Sequence, residues 1–171
     1  MRINDLLNVV AEIMNQPVAQ AICLSTGGWE GWLQCQLWYA LTQRIHPVQA
    51  AREVQYPNAQ QRCDLVVALN PNEPGQPAYD IGKNVEVWIE IKALGGNQVN
   101  NLDNFINGIR NDVLKLNNGN VPGLSIVVVP ELFRDELEGV FNHNNWQGFI
   151  RRDMQNSSAY YLGFGNLNTV Q

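Results

Sequence analysis

The chain is poor in cysteine and histidine, and neither residue type is spaced for metal binding. Its three cysteines, Cys23, Cys35 and Cys63, are odd in number, widely separated and free of any CxxC pair. This argues against a disulfide framework and against a zinc knuckle, so we expect three buried thiols. His46 and His143 stand alone, and no GxSxG, GxxxxGK[ST] or strand-following GxGxxG motif is present. Histidine metal sites, serine hydrolase elbows and nucleotide-binding loops are therefore excluded.

Long hydrophobic runs are also lacking. No segment approaches the ~20 apolar residues of a membrane helix, and the N-terminus has no signal-peptide pattern. The hydrophobic content of 45% and charged content of 16% are those of a globular protein. A length of 171 residues fits one domain with a sizeable core. We therefore expect a single cytoplasmic domain without a membrane partner.

Positive charge is scarce. The formal net charge is -5 and the isoelectric point is near 4.9, whereas nucleic-acid binders usually carry a basic surface. Carboxylates that bind a metal ion count as negative in the sequence, but the bound ion neutralises them. The net negative charge thus argues against a nucleic-acid partner. This argument loses its force if some of the carboxylates bind a metal ion.

Apolar spacing predicts the order of helices and strands. Helical spacing covers residues 3–15, 29–44 and 102–116, with a short helix or turn over 18–24 and another helix over 131–141. Strands are expected over residues 51–56, 62–69, 84–92, 124–129 and 159–164, and a Pro- and Gly-rich loop over 70–82. The pair Arg151-Arg152 is interpreted as a solvated helix face or as a phosphate contact.

The strand over residues 84–92 has an unusual polar face. Its valines and isoleucines alternate with Glu86, Trp88, Glu90 and Lys92, so Glu90 and Lys92 lie side by side. The pair is either an ordinary ion pair on a solvated strand, or a group that holds a metal ion and orients the water that the ion activates. Trp88 is either a core residue or a surface for base stacking.

Two further carboxylates have a structural and a functional interpretation. Glu30 in the first turn of its helix either complements the helix dipole or reaches toward a metal site, with Gln34 one turn further on. Asp64 at the entrance of a buried strand is either part of a turn or a metal ligand. Arg62 beside it either contacts a phosphate or covers the strand end.

These residues resemble a known superfamily. The order of elements, with Asp64 on one strand, Glu90-Ile91-Lys92 on the next and Glu30 on the preceding helix, resembles the PD-(D/E)xK superfamily of restriction-endonuclease-like nucleases over about residues 26–130. Cys63 stands where the motif name has proline. The resemblance implies an α/β fold with a mixed central sheet flanked by helices. It implies one domain over residues 1–171, in which residues 1–25 are an N-terminal helical extension.

The resemblance also implies roles for individual residues. Asp64 and Glu90 would bind Mg²⁺ or Mn²⁺ together with the carbonyl oxygen of Ile91, and Lys92 would be the catalytic lysine. Glu30 would be a fourth catalytic residue that holds a second ion or a metal-bound water. Arg62 and Gln34 are candidate phosphate contacts.

Together these expectations describe a Mg²⁺-dependent endonuclease that hydrolyses phosphodiester bonds, with DNA favoured over RNA as its substrate. The chain would act as a homodimer or with a partner protein that targets it, and restriction, repair, defence and toxin roles all suit such a site. The alternative is a catalytically inactive protein of the same fold that serves as an interaction or regulatory module. The two differ in whether Asp64, Glu90 and Lys92 converge, with Glu30 facing them.

Overall fold

One mixed six-stranded sheet organises the computed structural model, which describes residues 3–23, 29–43, 49–57, 59–68, 86–95, 101–144, 146, 149–155 and 157–164. The strand order is β1-β2-β3-β4-β6-β5. Strands β3 and β4 are parallel, and every other neighbouring pair is antiparallel. The strands are β1 (Gln49–Gln55), β2 (Arg62–Ala68), β3 (Glu86–Ala93), β4 (Gly123–Pro130), β5 (Ile150–Met154) and β6 (Ser157–Phe164).

Five α-helices accompany the sheet in the described residues. They are α1 (Ile3–Met14), α2 (Pro17–Cys23), α3 (Trp29–Gln43), α4 (Leu102–Gly119) and α5 (Arg134–His143), and a 3₁₀ turn over Glu131–Phe133 precedes the last of them. Helix α4 connects the parallel strands β3 and β4, which is the usual solution because parallel strands need a long crossover. No helix of the described residues is both long and apolar enough to cross a membrane.

The helices cover both faces of the sheet, so the central strands are buried on both sides. Helices α1, α2 and α3 pack on one face, where β3 contributes Val87, Ile89 and Ile91. Helices α4 and α5 pack on the other face, against Trp88 of the same strand and Leu94, which directly follows it. This alternation follows from the period of two along a strand, and it leaves Glu90 and Lys92 on the α4 face.

Most of the predicted elements are confirmed. The chain is a single α/β domain, in which β1, β2 and β3 form an antiparallel meander and β4 returns parallel to β3. The short segment after residue 17 is a helix, and α4 continues three residues beyond the predicted end at residue 116. Apolar side chains of helix α1 belong to the same hydrophobic core as those of α3 and the sheet. The predicted loop over residues 70–82 lies outside the described residues.

Two sequence interpretations were wrong, and one strand was not predicted. Arg151 and Arg152 do not lie on a helix, because strand β5, which was not predicted, runs through them. That strand is exposed at the sheet edge, so it lacks the apolar alternation that reveals a half-buried strand. Of the three cysteines only Cys63 is buried, whereas Cys23 is half-buried and Cys35 is exposed on α3.

Candidate active site

The candidate site begins where strands β2 and β3 separate. Their paired register extends as far as Leu65 opposite Ile89. Beyond this pair, the N–H of Ile91 has a side-chain acceptor instead of a backbone carbonyl of β2. It donates a 2.7 Å hydrogen bond to Oδ2 of Asp64. The next N–H on the same edge of β3, that of Ala93, donates to Glu30 Oε2 over 3.4 Å. Two carboxylates thus cap the free edge of β3, which carries backbone donors that need partners.

Lys92 points from β3 into this group of carboxylates. Its Nζ lies 3.2 Å from Glu30 Oε1 and 3.4 Å from Asp112 Oδ2, and the side chain is 24% exposed. The aliphatic part of Lys92 passes close to α4, where a Cβ added at Gly108 would lie 2.9 Å from its Cε. The ammonium is therefore held by two carboxylates that come from helices on opposite faces of the sheet.

Glu90 is the most deeply buried of the carboxylates, with 1% of its surface exposed. Its Oε1 accepts a 2.7 Å hydrogen bond from the Tyr56 hydroxyl, and its Oε2 lies 3.3 Å from Lys115 Nζ. The Tyr56 ring stacks on Trp88 with 4.9 Å between ring centroids. Trp88 is thus a core residue, and Glu90 is held from both sides.

Tyr56, Asp112 and Lys115 were not among the residues singled out in the sequence. The signal for Asp112 is its helical position, because it lies three residues after Ile109 and four before Leu116, both buried on α4. A carboxylate on the apolar face of a helix needs a partner. Lys115 provides one, with Nζ 2.7 Å from Asp112 Oδ1.

Glu90 and Asp64 hold protons more tightly than free side chains do. Burial, together with the negative charges of Asp112 and Asp64, raises the pKa of Glu90 to about 8. Burial also raises the pKa of Asp64 to about 6, although the hydrogen bond from Ile91 acts in the opposite direction. Four carboxylates share the site with two lysines, so the group carries an excess of negative charge when all are ionised.

The lysines keep their protons. Burial favours the neutral amine of Lys92, but Asp112 and Glu30 outweigh it and raise the pKa of Lys92. Burial opposes the charge of Lys115 in the same way, and the hydrogen bond and charge of Asp112, with the charge of Glu90, raise the pKa of Lys115. Both side chains therefore act as fixed positive charges at neutral pH.

Two polar atoms at the site are buried with no hydrogen-bond partner among the residues that the structure describes. They are Asp112 Oδ2, whose 3.4 Å contact with Lys92 lacks hydrogen-bond geometry, and Ser125 Oγ on β4, in register with Glu90. Such atoms, with an excess of carboxylate oxygens, fit a hard divalent cation in chemistry. Within the described residues, however, no three His, Cys, Asp or Glu side chains are arranged around one ion position.

The two candidate phosphate contacts have hydrogen-bond partners outside this group. Gln34 is buried at 7% exposure and its Oε1 is 3.4 Å from an Arg52 nitrogen, so it packs between α3 and β1. Arg62 is exposed and donates to the carbonyl of Glu53 over 3.4 Å. Glu53 has a left-handed φ of 55°, which is strained for a residue with a side chain.

A surface cavity of about 340 Å³ opens beside Lys92. Glu30 and Lys92 form part of its wall. The rest is lined by Trp29, Ala93, Leu94, Asn101, Asn104 and Phe105. A volume of this order lies at the lower end of the range for small-molecule pockets. The cavity connects the Lys92 side chain with solvent.

No family model, curated protein or solved structure matches this chain.

Proposed function

We propose that the chain is a metal-dependent nuclease of the PD-(D/E)xK type, which hydrolyses phosphodiester bonds in DNA. The observation that carries the proposal is the convergence of Asp64, Lys92 and Glu30 where β2 and β3 separate, with Glu90 beside them. These residues come from one helix and two strands, and Lys92 is turned into the group instead of into solvent. Charges that merely solvate a surface have no reason to meet in this way.

Asp64 and Glu90 would hold Mg²⁺ or Mn²⁺, with the carbonyl of Ile91 and with Glu30 as further ligands. The Ile91 carbonyl lies on the same edge of β3 as the N–H that Asp64 binds, because both groups of one strand residue point to the same side. Since no three His, Cys, Asp or Glu side chains in the described part of the chain surround one point, ion binding requires the ligands to reorient. The bound ion would supply charge neutralisation and an activated water.

Lys92 would act as a positive charge and not as a base. Its raised pKa keeps the ammonium protonated, so it orients the attacking water and stabilises the negative charge that develops on the phosphoryl oxygens. Glu30 holds this ammonium at 3.2 Å. Arg62, exposed at the start of β2, would contact the nucleic-acid backbone.

Nicking of supercoiled plasmid in Mg²⁺ or Mn²⁺ tests the proposal. We expect the wild type to nick and the variants Asp64→Asn and Lys92→Met to lose activity, because each removes a charge that acts on the phosphate or its ion. Asp135→Asn, an exposed carboxylate on α5, is the matched control and keeps wild-type activity. A wild type without activity, or an active Lys92→Met, would overturn the assignment.

One observation favours the alternative, a non-catalytic interaction module. Both oxygens of Glu90 are already held by Tyr56 and Lys115, which leaves neither oriented toward an open ion position. In that case neither ion binding nor nicking is detected, and Asp64→Asn changes only stability. A homodimer or a targeting partner belongs to either function. Size-exclusion chromatography with light scattering distinguishes the dimer from the monomer.

A further inference from the structure

One face of α4 is built around the candidate site. Gly108, Asp112 and Lys115 are spaced by four and three residues, so they share a side of the helix. Gly108 leaves room for Lys92, and the other two contact the site by ion pairs. The helix therefore presents a polar strip to β3 between its apolar contacts.

Asp112 lies between the two lysines. Its Oδ1 is 2.7 Å from Lys115 Nζ, and its Oδ2 is 3.4 Å from Lys92 Nζ. Lys115 in turn lies 3.3 Å from Glu90 Oε2. A continuous chain of charges thus runs from Lys92 through Asp112 and Lys115 to Glu90, and only Lys92 and Glu90 belong to the strand.

We propose that Asp112 and Lys115 are positioning residues, through which α4 holds the Lys92 ammonium and the Glu90 carboxylate in register with each other. Asp112 fixes Lys92 from the side opposite Glu30, and Lys115 fixes Glu90 opposite Tyr56. This role rests on the proposed nuclease function, because it concerns how the reacting groups are held.

Stability alone does not account for these charges. Asp112 is 2% exposed, and burying an ion pair removes hydration that its attraction only partly repays. Well-packed apolar residues at such positions are often as stable or more so. The charges on α4 have a clear use only if Lys92 and Glu90 must be oriented.

The test compares plasmid nicking by purified full-length variants under saturating Mn²⁺. Asp112→Asn and Lys115→Met should lower kcat by about 10–100-fold, the usual effect of removing a partner of a functional side chain, with little change in KM. Lys115→Arg keeps the positive charge and should recover most of the loss. Asp103→Asn and Arg110→Met, exposed residues of the same helix, are the controls and keep wild-type kcat.

A second variant separates positioning from folding. In Asp112→Leu combined with Lys115→Met the buried charges are replaced by apolar side chains, so the fold should persist, as circular dichroism and urea unfolding would show. We expect this folded protein to have a kcat as low as the single variants. If it nicks at the wild-type rate, or if Asp112→Asn equals Asp103→Asn, the positioning role is wrong while the nuclease stands. If the wild type itself does not nick, the proposed function fails first, and this role with it.

Discussion

Replacing Tyr56 by phenylalanine isolates the hydrogen bond that holds Glu90. The substitution removes the hydroxyl that donates to Glu90 Oε1 over 2.7 Å and leaves the ring that stacks on Trp88. The free-energy loss depends on the charge of Glu90. A hydrogen bond to a charged group contributes about 1.5–3 kcal/mol, and one between neutral groups about 0.5–1.5 kcal/mol.

The loss of stability in Tyr56→Phe depends on pH, because the charge of Glu90 does. The pKa of Glu90 rises from 4.5 to about 8 on folding, so the folded protein carries a neutral Glu90 at about pH 6 and an ionised one at about pH 9. The Tyr56 hydroxyl favours the ionised form. The free energy of unfolding should therefore fall more in Tyr56→Phe at about pH 9 than at about pH 6, by roughly 1–2 kcal/mol on the values above.

Urea unfolding with a chelator present measures both losses, because the chelator removes divalent ions that compete for Glu90. Tyr39→Phe is the matched control, since Tyr39 is 53% exposed on α3 and its replacement should change little at either pH. An equal loss for Tyr56→Phe at both pH values would refute the reasoning. Glu90 would then not change its charge across this interval, or the hydroxyl would not bind it.

Three further predictions concern the same group of residues. Because folding raises the pKa of Glu90 to about 8, its contribution to stability is present below the unfolded pKa of 4.5 and lost as the pH rises through 8. Urea unfolding in chelator should show this loss in the wild type and a flatter dependence of the unfolding free energy on pH in Glu90→Gln. Gly108→Ala should lower the nicking rate, because its Cβ would lie 2.9 Å from Lys92 Cε. The control Gly139→Ala, with open space around it, should keep the rate and raise stability by up to about 1 kcal/mol. Equal nicking rates in the two variants would contradict this. Binding of Mn²⁺ near neutral pH should release protons from Glu90, which calorimetry in buffers of different ionisation enthalpy detects, and an enthalpy independent of the buffer would show that no proton leaves.

The sequence predicted the centre of the fold well, because period-two and helical spacing are strong where a residue is buried on a known face. Strand β3 shows this, since its apolar residues and its polar pair lie on the faces that alternation assigns. Strand β5 was missed because an exposed edge strand leaves no apolar alternation. Cys35 was misjudged because residue type alone does not tell which side of α3 faces solvent.

The grouping of the candidate residues was predicted in part for a related reason. Asp64, Glu90, Lys92 and Glu30 come together, and these residues could be placed from their positions on elements that the sequence defines. Tyr56 lies 34 residues from its partner Glu90, a separation that no local pattern encodes. Asp112 did carry a signal, because a carboxylate among the buried positions of α4 is costly unless paired.

The central claim is that Asp64 and its neighbours bind a divalent ion which phosphodiester hydrolysis requires. Its most direct measurement is titration of Mn²⁺ by calorimetry into the wild type, Asp64→Asn and the control Asp135→Asn, with plasmid nicking followed in the same samples. We expect binding and nicking in the wild type and the control, and the loss of both in Asp64→Asn. If the wild type neither binds the ion nor nicks, or if Asp64→Asn does both as well as the wild type, the metal-dependent nuclease is contradicted.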